Sequence, residues 1–154
     1  MSAARAIRCI AVAGLVAGVL DILYVIVYFA ITVKGVGSTQ IFHGIAAGLL
    51  GSKAAREGGA TTAALGLGLL FVIALGAAAV FYAASRRWKF LLERPWVTGP
   101  FYGVLVWLVM NLVVLPLSAN PPKAFPSPNW MPVLIAHLTC VGLPIAVLVR
   151  RCSR

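Results

Sequence analysis

The stretch IAVAGLVAGVLDILYVIVYFAITV, from Ile10 to Val33, decides the fold. It carries one charged side chain, Asp21, and exceeds the roughly 20 apolar residues that a helix needs to cross a bilayer. Three further runs are of the same kind, giving candidate spans over 10–33, 60–84, 98–117 and 131–149. Hydrocarbon offers the backbone no water, so a spanning run must be a helix or part of a closed barrel. Barrel strands alternate polar and apolar residues; these runs are continuously apolar and are therefore read as helices. Arg5 and Arg8 precede the first run much as a signal peptide's basic region would. The run is longer than a signal peptide's ~7–15 apolar residues and no small-residue cleavage site closes it. A retained first span is expected.

The rest of the composition agrees. Of 154 residues, 62% are hydrophobic and only 10% charged, and the mean hydropathy is +1.00. A soluble domain carries about 25% charged residues, so a soluble enzyme and a disordered chain are both excluded. The net charge of +10 would suggest nucleic acid on a soluble protein. Here the cations flank the spans, which is the pattern of membrane topology, and no nucleic-acid partner is expected.

Those cations set the orientation. Arg5, Arg8, Arg86, Arg87, Lys89, Arg94, Arg150, Arg151 and Arg154 fall on one side of the four spans, and Lys34, Lys53, Arg56 and Lys123 on the other. The basic side faces the cytoplasm, so both termini are expected inside. Trp88 and Trp96 then lie at the inner interface and Trp130 at the outer one. Cys9, Cys140 and Cys152 have no metal-ligand spacing and read as free thiols.

Between the first two spans, residues 39–52 predict a short helix. At about 1.5 Å per residue it is too short to cross, so it is expected to be re-entrant or interfacial and to pack on the outer end. Ile41, Phe42, Ile45 and Leu49 mark its apolar face, and Gly44, Ala47, Gly48 and Gly51 a small-residue face suited to close packing. Gly14 and Gly18 mark a similar face on the first span, while Gly66, Gly68 and Gly76 lie in the second. The stretch 118–130 with its flanks holds Pro116, Pro121, Pro122, Pro126, Pro128 and Pro132 and is expected to be a stiff, non-helical outer cap.

Asp21 is the most informative residue. A carboxylate at mid-membrane costs at least ~2.5–3.5 kcal/mol, so it should face protein or water. Counting rise along each span puts Asp21, Asn111 and His137 all about 16–19 Å above the inner boundary. One buried polar layer follows, with an expected Asp21–His137 contact and Asn111 nearby. Interhelical polar packing explains such a layer, and a proton site is the alternative, since a His–carboxylate pair titrates near neutral pH. His43 and His137 are the two histidines and in principle form an axial pair for haem b, with nothing beyond the imidazoles in support. No nucleophile elbow, HExxH or phosphate loop occurs. No catalytic residue, metal site or other cofactor is expected.

The C-terminal half, Phe71 to Arg151, resembles the YagU-like family of poorly characterised bacterial inner-membrane proteins. The resemblance rests on an apolar span, Arg86-Arg87-Trp88-Lys89, Asn111-Leu-Val-Val-Leu-Pro116-Leu117, Asn120-Pro121-Pro122, Ala136-His137-Leu138 and Arg150-Arg151. It implies a bacterial inner-membrane protein and little about mechanism. The expected architecture is all-α: an integral membrane four-helix bundle forming one domain, both termini cytoplasmic, with a short outer helix after the first span. The expected role is an accessory or structural subunit that contacts a membrane-protein partner or a second copy within the lipid bilayer. The alternative is an oligomeric transporter or proton-linked permeation unit using Asp21 and His137, and haem-based electron transfer is a third reading.

Overall fold

The computed structural model describes residues 3–32, 37–120, 125 and 130–153. In chain order its helices are α1 (Ala3–Thr32), α2 (Ser38–Leu50), α3 (Ser52–Glu57), α4 (Gly59–Arg87), α5 (Phe90–Glu93), α6 (Pro95–Leu117) and α7 (Trp130–Ser153). The described residues contain no strand. The long helices α1, α4, α6 and α7 are each apolar enough to cross a membrane, so the chain is an all-α four-helix bundle. They overrun the apolar runs because the backbone stays helical into the basic flanks. Arg86 and Arg87 occupy the last turn of α4, and Arg150 and Arg151 that of α7, where cations complement the partial negative charge of a helix C-terminus.

The outer helix expected over 39–52 forms as α2 and ends at Gly51, whose φ of +79° favours glycine. The chain then turns through α3 into α4, and Thr62 fastens the corner by donating to the Ala55 carbonyl at 2.6 Å. The proline-rich stretch is less irregular than expected at its flanks. Pro116 lies inside α6, and Pro132 lies in the first turn of α7, where its missing amide hydrogen would have had no helical partner. Residues 121–124 and 126–129 of the expected outer cap lie outside the described residues.

α1 packs on α4 and α7, and α7 on α6. Tyr102 of α6 closes the circuit, donating its hydroxyl to the Ala77 carbonyl of α4 at 2.6 Å while its ring meets Phe81 edge-on at 4.9 Å. The enclosed core contains Cys9, Ala13 and Ala17 of α1, Ala78 and Phe81 of α4, and Val141, Ile145, Ala146 and Val149 of α7. Most of these side chains are small. Lipid tails are as apolar as leucine, so helices gain from close backbone approach more than from burying bulk.

Glycine makes the closest approaches. A Cβ on Gly14 would fall 2.8 Å from the Leu75 Cα, and one on Gly18 2.8 Å from the Phe71 ring. The tightest seam joins α6 to α7. There a Cβ on Gly99 would fall 2.8 Å from the Leu143 Cα, one on Gly103 2.7 Å from the Leu138 Cα, and one on Gly142 2.7 Å from the Gly103 Cα. α2 lies on α4 in the same manner, the Phe42 carbonyl resting on Gly66. By contrast, Gly68 and Gly76 meet nothing within 4 Å.

Two alanine substitutions of the same kind should therefore act with opposite sign. Gly103→Ala forces backbone against backbone and should destabilise the bundle by about 1–3 kcal/mol. Gly76→Ala removes a flexible residue from an open helix face and should stabilise by up to about 1 kcal/mol. Unfolding in mixed micelles measures both, and a stable Gly103→Ala variant would refute the seam.

Candidate functional site

The polar layer is built on two irregular turns. α6 and α7 each contain a π-helical segment, Met110–Val114 and His137–Gly142, and each segment runs directly into a Leu-Pro pair, Leu115-Pro116 and Leu143-Pro144. The Leu115 amide donates to the Met110 carbonyl and the Leu143 amide to the Leu138 carbonyl, one residue further back than in an α-helix. Proline lacks an amide hydrogen and its ring crowds the carbonyl four residues back. Widening the turn ahead of it relieves that crowding.

Side chains in and beside these turns supply extra donors. Asn111 donates through Nδ2 to the Trp107 carbonyl, and Thr139 through its hydroxyl to the Ile135 carbonyl, both at 2.8 Å. The His137 Nδ1 lies 2.8 Å from the Val133 carbonyl. A carbonyl only accepts, so this contact assigns the hydrogen to Nδ1 and leaves Nε2 without one in the neutral ring.

Asp21 sits on α1 with its Oδ1 fully enclosed and without any hydrogen-bond partner. The His137 imidazole is within electrostatic reach of the carboxylate, so α1 and α7 do bring these two together. The expected direct contact is nevertheless not a hydrogen bond, because His137 is turned to its own helix. Asn111 likewise bonds its own helix and neither of the other two. The layer is thus one loosely associated pair plus a residue that mends a π-turn, rather than a connected triad.

The remaining candidates separate. His43 donates through Nε2 to the Gly59 carbonyl at 2.8 Å, pinning α2 to the start of α4. That bond takes the nitrogen an axial haem ligand would use, so the histidine pair does not fit haem b. Among the described residues no group of three or more His, Cys, Asp or Glu could hold a metal ion. On α2, Ala47 is buried, and a Cβ on Gly48 would meet Asn120 Nδ2 at 3.4 Å. The Ala119 amide also donates to the Gly48 carbonyl at 2.8 Å. Gly44 meets nothing within 4 Å and does not belong to the packed face, while Gly51 serves as the break after α2.

Reading the sequence for apolar runs passed over the features that shape this region. The Gly99-x-x-x-Gly103 spacing and the two Leu-Pro pairs were the available signals. No family model matches the chain, and no curated protein or solved structure matches it significantly.

The geometry separates two double-mutant cycles. Asn111→Ala combined with His137→Ala should be additive to within about 0.5 kcal/mol, since each side chain serves its own helix. Asp21→Asn combined with His137→Ala should show a coupling above about 0.5 kcal/mol. Unfolding free energies in micelles give both terms, and equal couplings would contradict the arrangement.

Proposed function

We propose that this chain is a non-enzymatic subunit that works by helix contact within a larger membrane assembly, a membrane-protein partner or a second copy supplying the contact. We place it in a bacterial inner membrane with both termini cytoplasmic. The basic flanks support the orientation and the YagU-like resemblance the location.

One observation carries the reading. The buried residues of α1 are Cys9, Ala13, Gly14, Ala17 and Gly18, none of them beyond position 18 of a helix that runs to Thr32. From Val19 to Thr32 every position is half-buried or exposed, with Leu23 52% and Ile31 78% exposed. Asp21 lies in this half without a donor. Acyl chains cover leucine and isoleucine without penalty, but they offer nothing to a carboxylate. A neighbouring helix covers the exposed apolar positions, and since Oδ1 is already enclosed within the chain, a donor on that helix would meet the other carboxylate oxygen.

Native mass spectrometry after gentle extraction tests this reading. The chain should appear in a species heavier than the monomer, and Asp21→Leu should reduce that species. Val72→Ala, on an exposed position of α4, should not. Recovery of the wild-type chain only as a monomer overturns the reading.

A second reading is a proton-linked permeation unit. Asp21 and His137 lie within electrostatic reach of one another. It requires a pH-dependent flux in proteoliposomes that Asp21→Asn abolishes while leaving the assembly mass unchanged. A flux insensitive to Asp21→Asn excludes it.

A further inference from the structure

The basic end of the bundle holds a cavity of about 620 Å³, formed by the C-terminal ends of α4 and α7 together with α5. Its size falls in the range of small-ligand sites. Arg86, Lys89 and Arg150 line it with positive charge, and Glu93 with one negative charge. The two helix C-termini oppose an anion as well, each contributing about half a negative charge. The three cations outweigh these terms and leave a surplus of about one positive charge.

The hydroxyls at the cavity differ. Ser85 is committed, donating to the Tyr82 carbonyl at 2.7 Å. Ser153 is not: its Oγ is enclosed and has no hydrogen-bond partner, so rotating it into the cavity that the residue lines breaks no bond. An enclosed hydroxyl without a partner is unfavourable, and an anionic oxygen is a strong acceptor for it. Planar guanidinium groups suit the oxygens of a phosphate.

We propose that this cavity binds a phosphodiester monoanion, held by Arg86, Lys89 and Arg150 and accepting a hydrogen bond from Ser153. The group is singly charged, as is the surplus. Trp88, Phe90 and Trp96 are exposed around the same end, where aromatic side chains sit at headgroup level. The headgroup of an anionic phospholipid therefore delivers the diester; a soluble diester would engage the same groups. Dispersed interfacial cations also attract anionic lipid, but such attraction neither saturates at one molecule nor involves Ser153.

The test uses the full chain in neutral detergent at fixed ionic strength, titrated separately with phosphatidylglycerol, phosphatidylcholine and dimethyl phosphate. Thermal unfolding and native mass spectrometry are the readouts. Phosphatidylglycerol should bind saturably, with one lipid retained, and phosphatidylcholine should bind about tenfold more weakly or worse. Arg86→Gln and Arg150→Gln should each weaken phosphatidylglycerol about tenfold. The conservative Ser153→Ala should weaken it in an otherwise normally folded chain, and Arg5→Gln, which alters a cation outside the lining, should have no effect. Saturable binding of dimethyl phosphate with the same variant pattern supports the site with a soluble source. Equal binding of the two lipids, or equal losses in Arg5→Gln and Arg150→Gln, overturns the proposal.

Discussion

In a medium without water, each backbone amide and carbonyl must find its partner inside the protein. The long helices α1 and α4 meet this demand along their length. α6 and α7 meet it with adjustments, because Pro116 and Pro144 each remove an amide hydrogen from the ladder. The wider turns at Met110–Val114 and His137–Gly142 and the side-chain bonds of Asn111, His137 and Thr139 to carbonyls of their own helices are local answers to that demand. Polar residues at mid-membrane depth here serve the backbone first. This is why two of the three members of the polar layer are turned toward their own helices.

The same medium changes what holds the helices together. Burying a leucine gains little over leaving it in lipid, so contact depends on how near two backbones can come. The seam of Gly99, Gly103 and Gly142, the Gly14 and Gly18 contacts with α4, and Gly66 beneath α2 are the places where they come nearest. The His137 carbonyl presses on Gly103, so the π-turn and the seam constrain each other. Altering one disturbs the position of the imidazole in the other.

Charge is divided between two places of unlike character. At the basic end, cations collect beside helix C-termini, around a cavity and among exposed tryptophans. Within the bundle, Asp21 stands nearly alone, with His137 in reach but unbonded. α1 links the two: its inner half is locked into the core through Cys9, Ala13 and Ala17, and its outer half, otherwise half-buried or exposed, holds Asp21 with one carboxylate oxygen enclosed near His137. The first region is suited to hold an anion at the interface. The second is suited to be completed by another helix.

The sequence alone determined the number of spans, the all-α class and the segregation of cations, because hydropathy and charge are local properties that water and lipid read directly. It also placed Asp21 and His137 at one depth, since helical rise is fixed. Its spans over 98–117 and 131–149 contain Pro116 and Pro132, yet it also counted both prolines with the non-helical outer cap, and it did not foresee α3, because propensity does not reveal where a helix tolerates proline in its first turn or widens ahead of one. Gly44 and Gly48 look alike in sequence, yet only Gly48 faces a neighbour, and Gly76 looks like Gly103 but opens on space. Those distinctions depend on the rotation of each helix about its axis. That rotation is settled only when all the helices pack together, since no single segment carries the contacts that fix it.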